Sequence, residues 1–312
     1  MVHRMNTTGT SGSGISPEHL RRCLSYLTDH GYRLLSLEDL VLSLLEFHVP
    51  DNAVVFTIDD GYEDQAKVAA PIFLEFDCPL TFFVITDMVS ENHWPWDSKV
   101  SWIISNTKRK TLRVDYLDET VTFDLSDEKK VQKARHQIRD SMKELDSESI
   151  PGIIDQLIDS AEIDCPDSAP VEYKPMSWDQ ARELESKGIR FAPHSKTHRI
   201  LSRVDTETLE DEIQGSWKVL EKELHNPLKV FCYPTGRRLD FGPREIDILR
   251  REKFLAATST FPGFVQASLA NVPEIFKLPR LELPDNFSDF IQYCSWIEQA
   301  KYRIRHKMNR RL

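Results

Sequence analysis

An α/β fold built on a parallel sheet is the architecture this sequence predicts, and three observations carry it. Short apolar runs alternate with amphipathic stretches before residue 90 and again after residue 175, the order expected of strand–helix–strand units. The run Val54-Val55-Phe56-Thr57-Ile58 ends abruptly in Asp59-Asp60-Gly61, the form of a buried strand running into a tight turn. With 312 residues, 40% apolar and 29% charged, the chain has the balance of a soluble globular protein and enough length for one large domain or two small ones.

The elements follow in order. Residues 1–5 read as the tail of a strand whose beginning is absent or as a flexible end, the latter being the commoner case. Ser16-Pro17-Glu18 opens a helix, with Ser as cap and Pro at the first helical position, and Gly31 closes it. Ser36-Leu37-Glu38-Asp39 starts a second helix, whose stripe is Leu37, Leu40, Val41, Leu44 and Leu45. After the Asp-Asp strand come a helix over about 63–76 and a strand over 80–85. The segment 94–175 breaks the rhythm. It begins Trp94-Pro95-Trp96-Asp97, alternates over 111–124 like an exposed hairpin, and reads as helix over 127–145 and 150–160. It is charged, has little strand-core character, and is expected to be an insertion standing over the end of the sheet. Ser177-Trp178-Asp179-Gln180, with capping-box spacing, restarts the α/β pattern. Strands are expected over 189–192, 228–233, 254–258 and 277–283, the last carrying Arg280, with helices over about 206–225 and 244–253. The tail from Phe287 is helical in pattern and ends with Lys301, Arg303, Arg305, Lys307, Arg310 and Arg311. Such a basic tail suits an anionic membrane surface, although a solvated helix end is the ordinary reading.

Composition removes several function classes. A net charge of −10 argues against a general nucleic-acid binder. No apolar run is long enough to span a bilayer, and residues 1–14 lack the apolar core of a secretory signal. Cys23, Cys78, Cys165, Cys232 and Cys294 are scattered without CxxC spacing, which indicates neither a disulfide framework nor a cysteine zinc site. A reducing cytoplasm is the simplest compartment, and the basic tail extends that expectation to the inner face of the membrane.

The chemistry lies in two short stretches. Adjacent carboxylates gain nothing from packing, because they repel and each resists burial. At the C-terminal end of a strand they can divide labour, one holding a metal and one moving protons. A surface Asp-Asp-Gly turn is the plain alternative. His194 and His198 stand four apart after a strand of their own, and on a helix or helical turn that spacing sets both imidazoles on one side. Three protein ligands with an open fourth position make a catalytic zinc arrangement, and the remaining carboxylate is then a base.

Thr57-Ile58-Asp59-Asp60-Gly61 together with His194-Ser195-Lys196-Thr197-His198 resembles the first two motifs of the polysaccharide deacetylase family (NodB homology, carbohydrate esterase family 4). Phe231-Cys232-Tyr233-Pro234-Thr235-Gly236 looks like the run into its third motif, and Gly31-Tyr32 with Leu35-Ser36-Leu37-Glu38 looks like the prelude of its shorter bacterial members. The resemblance covers roughly residues 15–90 and 175–285. It implies an irregular (β/α) barrel, usually counted with seven strands, as one domain over 1–312. The insertion at about 94–175 is then mostly helical, the basic tail occupies about 287–312, and part of the first strand is missing if no strand precedes residue 1. It further implies that Asp60, His194 and His198 bind a divalent metal, most simply zinc, with cobalt or nickel as substitutes. Asp59 is the implied general base on a metal-bound water that attacks an N-acyl carbonyl, and the backbone N–H of Thr235 helps stabilise the oxyanion.

The sequence also departs from the family pattern. Thr235 stands where Tyr is frequent, and Cys232 stands where an arginine oriented on the base is frequent. Leu278-Pro279-Arg280-Leu281 resembles a late strand of the short members, so Arg280 is expected to replace that arginine ahead of Arg237 or Arg238. The usual late Leu-x-His acid is not present, since no histidine lies between His225 and His306. Val2-His3-Arg4 resembles a Tyr-His pair of some members, which makes His3 the candidate acid or acetate-site residue. Tyr233, Pro234 and Trp96 are expected to line the substrate.

The function implied is hydrolysis of an N-acetyl or other N-acyl group from an amino sugar, in an oligosaccharide or a lipid- or nucleotide-linked precursor. A non-catalytic glycan- or partner-binding barrel that keeps the metal site is the alternative. A phosphoryl-transfer protein is a third reading, disfavoured because imidazole suits zinc-like metals better than magnesium.

Overall fold

Each strand of the α/β part is followed by a helix that carries the chain back, so its strands pair in parallel. The computed structural model describes residues 1–6, 14–48, 51–116, 119–265, 274–295, 298 and 301. Its strands are β1 (Arg33–Leu35), β2 (Ala53–Asp60), β3 (Leu80–Val84), β4 (Thr111–Tyr116), β5 (Glu119–Asp124), β6 (Arg190–Pro193), β7 (Val230–Cys232) and β8 (Ala256–Thr258). The order β1-β2-β3-β6 forms one parallel sheet, and β7 and β8 form a parallel pair. Leu228 N–H donates to Phe191 O at 2.7 Å, linking β6 towards β7 and continuing the curl into a partial barrel.

The two faces of this sheet do different work. β3 is buried along its whole length, as a strand covered on both sides must be. Phe56 and Ile58 pack outward with Phe82 and Val84 beneath Leu20, Leu24 and Leu27 of the helix Pro17–Asp29. Alternation then sets Thr57 and Asp59 on the inner face with Phe83, whose core partners are Ala192, Val230 and Cys232. Asp60 has a φ of +82°, which ends the alternation and allows the second acid to reach the same rim as the first.

Residues 1–5 are bonded into this frame. Val2 pairs in parallel with Ile58, and Leu283 N–H donates to Met1 O at 2.9 Å. Two residues therefore bridge the late segment to β2. The contact is one ladder rung rather than a continuous strand.

Residues 277–283, expected as the last strand, form no regular strand. Glu274–Lys277 is a 3-10 turn, and only Leu278 bridges Thr258. The insertion differs more. Its helices Trp96–Asn106, Glu128–Met142 and Ile150–Ala161 and the β4–β5 hairpin enclose a hydrophobic core of their own, including Val100, Ile103, Leu112, Val114, Ile138 and Leu157. The charged surface hid that core, because each element buries only one face. The rod expected over 206–225 is Thr206–Glu210, a π-helical segment Asp211–Gly215 and Ser216–Glu223. The helix after β2 likewise begins with a π-helical segment, Gln65–Ala69. The tail helix is Phe287–Cys294, and Arg303, Arg305, Lys307, Arg310 and Arg311 lie outside the described residues.

Gly61 has a φ of +96°, and a Cβ there would meet Val84 Cγ1 at 3.0 Å. Gly61→Ala is expected to lose about 1–3 kcal/mol from left-handed strain and contact together. Urea unfolding of the metal-free protein measures this, and a loss below about 0.5 kcal/mol, the range of an ordinary surface change, would show that the turn relaxes freely.

Candidate active site

The Asp-Asp turn is held by one buried amide. Gln65 Oε1 accepts from the N–H groups of Gly61 and Tyr62 at 3.0 and 2.9 Å. Its Nε2 donates to Asp59 O at 2.7 Å and to His3 O. The π-helical turn that carries Gln65 aims the side chain back at the strand end it follows.

The His-x3-His stretch is a loop, not a helix or helical turn. Ser195 and His198 have φ of 64° and 63°, and Ser195 Oγ accepts from His198 N–H at 3.1 Å. Glu212, buried on the second π-helical segment, accepts from the N–H groups of Lys196 and Thr197 at 2.9 and 3.0 Å and from Thr197 Oγ1. Left-handed residues thus do the turning that brings both imidazoles to one side.

These two loops bring Asp60, His194 and His198 together, with their ligand atoms within 4.8 Å of one another. Asp60 Oδ1 lies 3.8 Å from His194 Nε2 and 4.0 Å from His198 Nε2. His194 Nδ1 is 2.8 Å from Cys232 O. A carbonyl only accepts, so Nδ1 carries the proton and Nε2 keeps its lone pair towards Asp60. His198 Nδ1 is 3.4 Å from Asp97 Oδ1, an ion-pair distance without hydrogen-bond geometry. One carboxylate and two imidazoles form a donor set that fits a divalent metal of the zinc type. A second cluster, Asp59, His194 and Cys232, fits poorly. Burial pushes its thiol up, away from the thiolate a metal needs, and Arg280 occupies both Asp59 oxygens.

Asp59 is buried beneath this rim. Arg280 Nη1 donates to Oδ1 and Nη2 to Oδ2, each at 2.7 Å, while Nη1 also reaches Thr57 Oγ1 at 3.1 Å and Nε donates to Ser259 O at 3.0 Å. Burial alone would raise the Asp59 carboxyl. The Arg280 guanidinium overrides it, with His194 and His3 adding, and holds the group well below the usual carboxylate range. The same pairing raises Arg280 above its ordinary value against the pull of burial.

The third loop turns at Thr235, whose φ is 55°. Its hydroxyl donates to Asp240 and its carbonyl accepts from Thr260 Oγ1 at 2.7 Å, so a direct chemical part falls to its backbone N–H. Three expected substrate contacts are corrected here. Tyr233 is fully buried and stacks on Phe241 at 3.7 Å, and Pro234 is buried beside it. Alternation along β7 and its extension puts Tyr233 in the core. Trp96 is 8% exposed, packs in the insertion core, and donates from Nε1 to His198 O at 3.3 Å. It holds a loop rather than offering a face to a sugar. His3 is half-buried, bonded through its carbonyl to Gln65, and within electrostatic reach of Asp59.

Gln65, Glu212 and Asp97 were not singled out by the sequence. Gln65 and Glu212 look like ordinary helix residues, and Asp97 offered only its place after Trp96. A cavity of about 620 Å³ lies elsewhere: it is lined by Val54, Phe56, Leu278 and Leu283 and reaches the site through Thr57 and Arg280.

The profile of the polysaccharide deacetylase family matches residues 48–242. A sequence search of curated proteins finds no match. Among solved structures, the deacetylase PplD of Streptococcus pyogenes, in complex with acetate, is similar with a TM-score of 0.62 at 18% identity, over 95% of this chain and 96% of that one. A de-N-acetylase from Aggregatibacter actinomycetemcomitans is similar with a TM-score of 0.55 at 15% identity, over 94% and 97%. IcaB from Ammonifex degensii is similar with a TM-score of 0.55 at 15% identity, over 94% of each. At these identities the likeness is one of fold, and it matches the α/β barrel architecture expected.

Arg280→Met is expected to cost roughly 3–5 kcal/mol at pH 7, because it leaves a buried carboxylate unpaired. In the variant burial is opposed only by the lesser pull of His194 and His3 and raises Asp59, so protonation relieves the penalty as pH falls from 7 towards 4. Wild-type Asp59, whose carboxyl is depressed, keeps its contribution over that window and loses it only below about 4. Urea titrations across the window should show the gap narrowing, and a constant gap would remove the electrostatic account.

Proposed function

The chain belongs to the polysaccharide deacetylase family, and we propose that it hydrolyses an N-acetyl or other N-acyl group from an amino sugar with the help of a divalent metal, most simply zinc. The observation that carries this reading is the convergence of Asp60, His194 and His198 on one point, with Asp59 beside them in the fork of Arg280. When bound, the metal supplies Lewis-acid activation of water and of the acyl carbonyl.

The chain's own groups then have separable tasks. Asp60, His194 Nε2 and His198 Nε2 are the ligands. Asp59, held ionised by Arg280, takes a proton from water as the oxygen attacks the acyl carbon. Arg280 fixes both carboxylate oxygens, so the base cannot rotate away. The N–H of Thr235, presented by a left-handed turn, is the donor to the developing oxyanion. His3, near Asp59, is the group to return a proton to the leaving nitrogen, giving the free amine and the carboxylate.

We place the substrate among glycan precursors, lipid- or nucleotide-linked, and the protein in the cytoplasm at the inner face of the membrane. Support comes from five unpaired cysteines, which suit a reducing compartment, and from the six Lys/Arg after Gln299.

Acetate release from N-acetylglucosamine oligomers and from UDP-N-acetylhexosamines, with added zinc or cobalt and with chelator, tests the reading. Chelator-sensitive release is expected. Stoichiometric metal with no release from either class would favour the non-catalytic barrel. Asp60→Ala or His194→Ala should lose the metal and the activity together, and full occupancy in either would remove that ligand. Asp59→Asn should retain metal and lose about 10²–10⁴-fold in kcat, and near-wild-type turnover would dismiss Asp59 as base. His3→Ala should slow the reaction and alter the pH–rate profile, and an unchanged profile would free His3 of the acid role.

A further inference from the structure

Of the two imidazoles at the centre, one is oriented by the barrel and one is not. His194 Nδ1 is 2.8 Å from the Cys232 carbonyl. His198 Nδ1 is buried and has no hydrogen-bond partner among the described residues. Such an atom calls for an acceptor, since a buried ring N–H left alone is rare in folded proteins. The acceptor at hand is Asp97 Oδ1, 3.4 Å away in the first turn of the insertion helix Trp96–Asn106.

We propose that Asp97 is the positioning residue for His198: it takes the Nδ1 hydrogen bond, fixes Nε2 as the metal-binding nitrogen, and makes the insertion a working part of the centre rather than a cover over it. This rests on the metal reading above. The two ring nitrogens point in divergent directions, so Asp97 acts through the imidazole and not on the metal. The carboxylate is itself held, because Arg139 Nη2 on the helix Glu128–Met142 lies 3.2 Å from Asp97 Oδ2. The backbone is held too. Trp96 Nε1 donates to His198 O at 3.3 Å, and Ile200, two residues on, packs into the insertion core. The insertion therefore grips His198 by its ring, its carbonyl and the chain that follows. A carboxylate–histidine–metal arrangement of this kind sets the tautomer and strengthens the ligand. Coupling runs both ways, so metal binding should steady the insertion as the insertion steadies the metal.

The test uses the full chain, zinc affinity by chelator competition, and the visible spectrum of the cobalt form. Asp97→Asn is expected to weaken zinc about 10- to 100-fold and to shift the cobalt bands, with little change in the melting of the metal-free protein. In a His198→Ala background the same substitution should make no further difference to zinc affinity. Affinity within about twofold of wild type, or an equal loss in both backgrounds, would overturn the proposal. Ring ¹⁵N shifts of zinc-loaded wild type need no variant to fold. They should show His198 coordinated through Nε2 with Nδ1 protonated, and coordination through Nδ1 would overturn the proposal. Wild type that takes up no zinc would overturn the metal reading and this one with it. Wild type that binds zinc normally beside an unaffected Asp97→Asn would overturn this one alone.

Discussion

The bidentate contact of Arg280 with Asp59 is the interaction on which the rest of this structure depends. It joins residues 221 positions apart and ties the late segment to β2 from inside the curl. Taking two charges out of water costs several kcal/mol per ion, and such a pair breaks even only with near-ideal geometry and with its remaining donors satisfied. Here two 2.7 Å bonds run in parallel, and Thr57 Oγ1 and Ser259 O take two more of the guanidinium donors. The pair is therefore weak as a source of stability and strong as a constraint. It ties the inner face of β2 to the late segment and holds a carboxylate ionised where an apolar residue would pack better. It also accounts for Cys232. The thiol lies 3.1 Å from Arg280 Nη2, so a small neutral residue leaves room for a guanidinium that arrives from the late segment.

Around that constraint the backbone is bent at the candidate site. Asp60, Ser195, His198 and Thr235 all have positive φ although none is glycine. Left-handed backbone costs a non-glycine residue of the order of 1–2 kcal/mol and persists only where surroundings over-determine it. Those surroundings are visible. Gln65 clamps the first loop, Glu212 the second, and Asp240 with Thr260 the third. Both Gln65 and Glu212 sit on π-helical segments, where one extra residue per turn redirects a side chain that a regular helix would send elsewhere.

What was legible in the sequence follows from this division. The class of fold could be read because buried parallel strands leave long apolar runs, as in Leu80–Val84. Asp59, Asp60, His194 and His198 could be singled out because packing alone gives no reason for such side chains at strand ends. Arg280 could be placed only through the likeness of its neighbours to a late strand, since nothing in Leu278-Pro279-Arg280-Leu281 announces a partner at residue 59. The strand expected there is absent as regular structure, yet the arginine arrives in position. Backbone bonds place it without a regular strand: Leu278 N–H donates to Ala257 O, Arg280 N–H to Phe261 O and Leu283 N–H to Met1 O. Tyr233 and Trp96 were misjudged for a common reason. An aromatic residue beside a motif is as consistent with packing as with binding, and alternation along the expected strand 228–233 is what sets Tyr233 in the core with Phe231.

The supports of the two imidazoles divide the centre mechanically. His194 leaves β6 and bonds the carbonyl of Cys232 at the end of β7, so its ring is set by the barrel's own strands. His198 lies four residues further on, past one left-handed position and itself in another, and leans on a subdomain with a separate hydrophobic core. A side chain held by a sheet moves only if the sheet moves, whereas one held across an interface moves with the smaller body. The centre therefore has one stiff imidazole and one whose placement is tied to the packing of residues 94–175. That difference explains why a long, charged insertion can lie between the two motifs without dissolving the site. It also explains why the carboxylate that matters in the insertion could not be found from the motifs themselves: its partner is a nitrogen that the barrel leaves unattended.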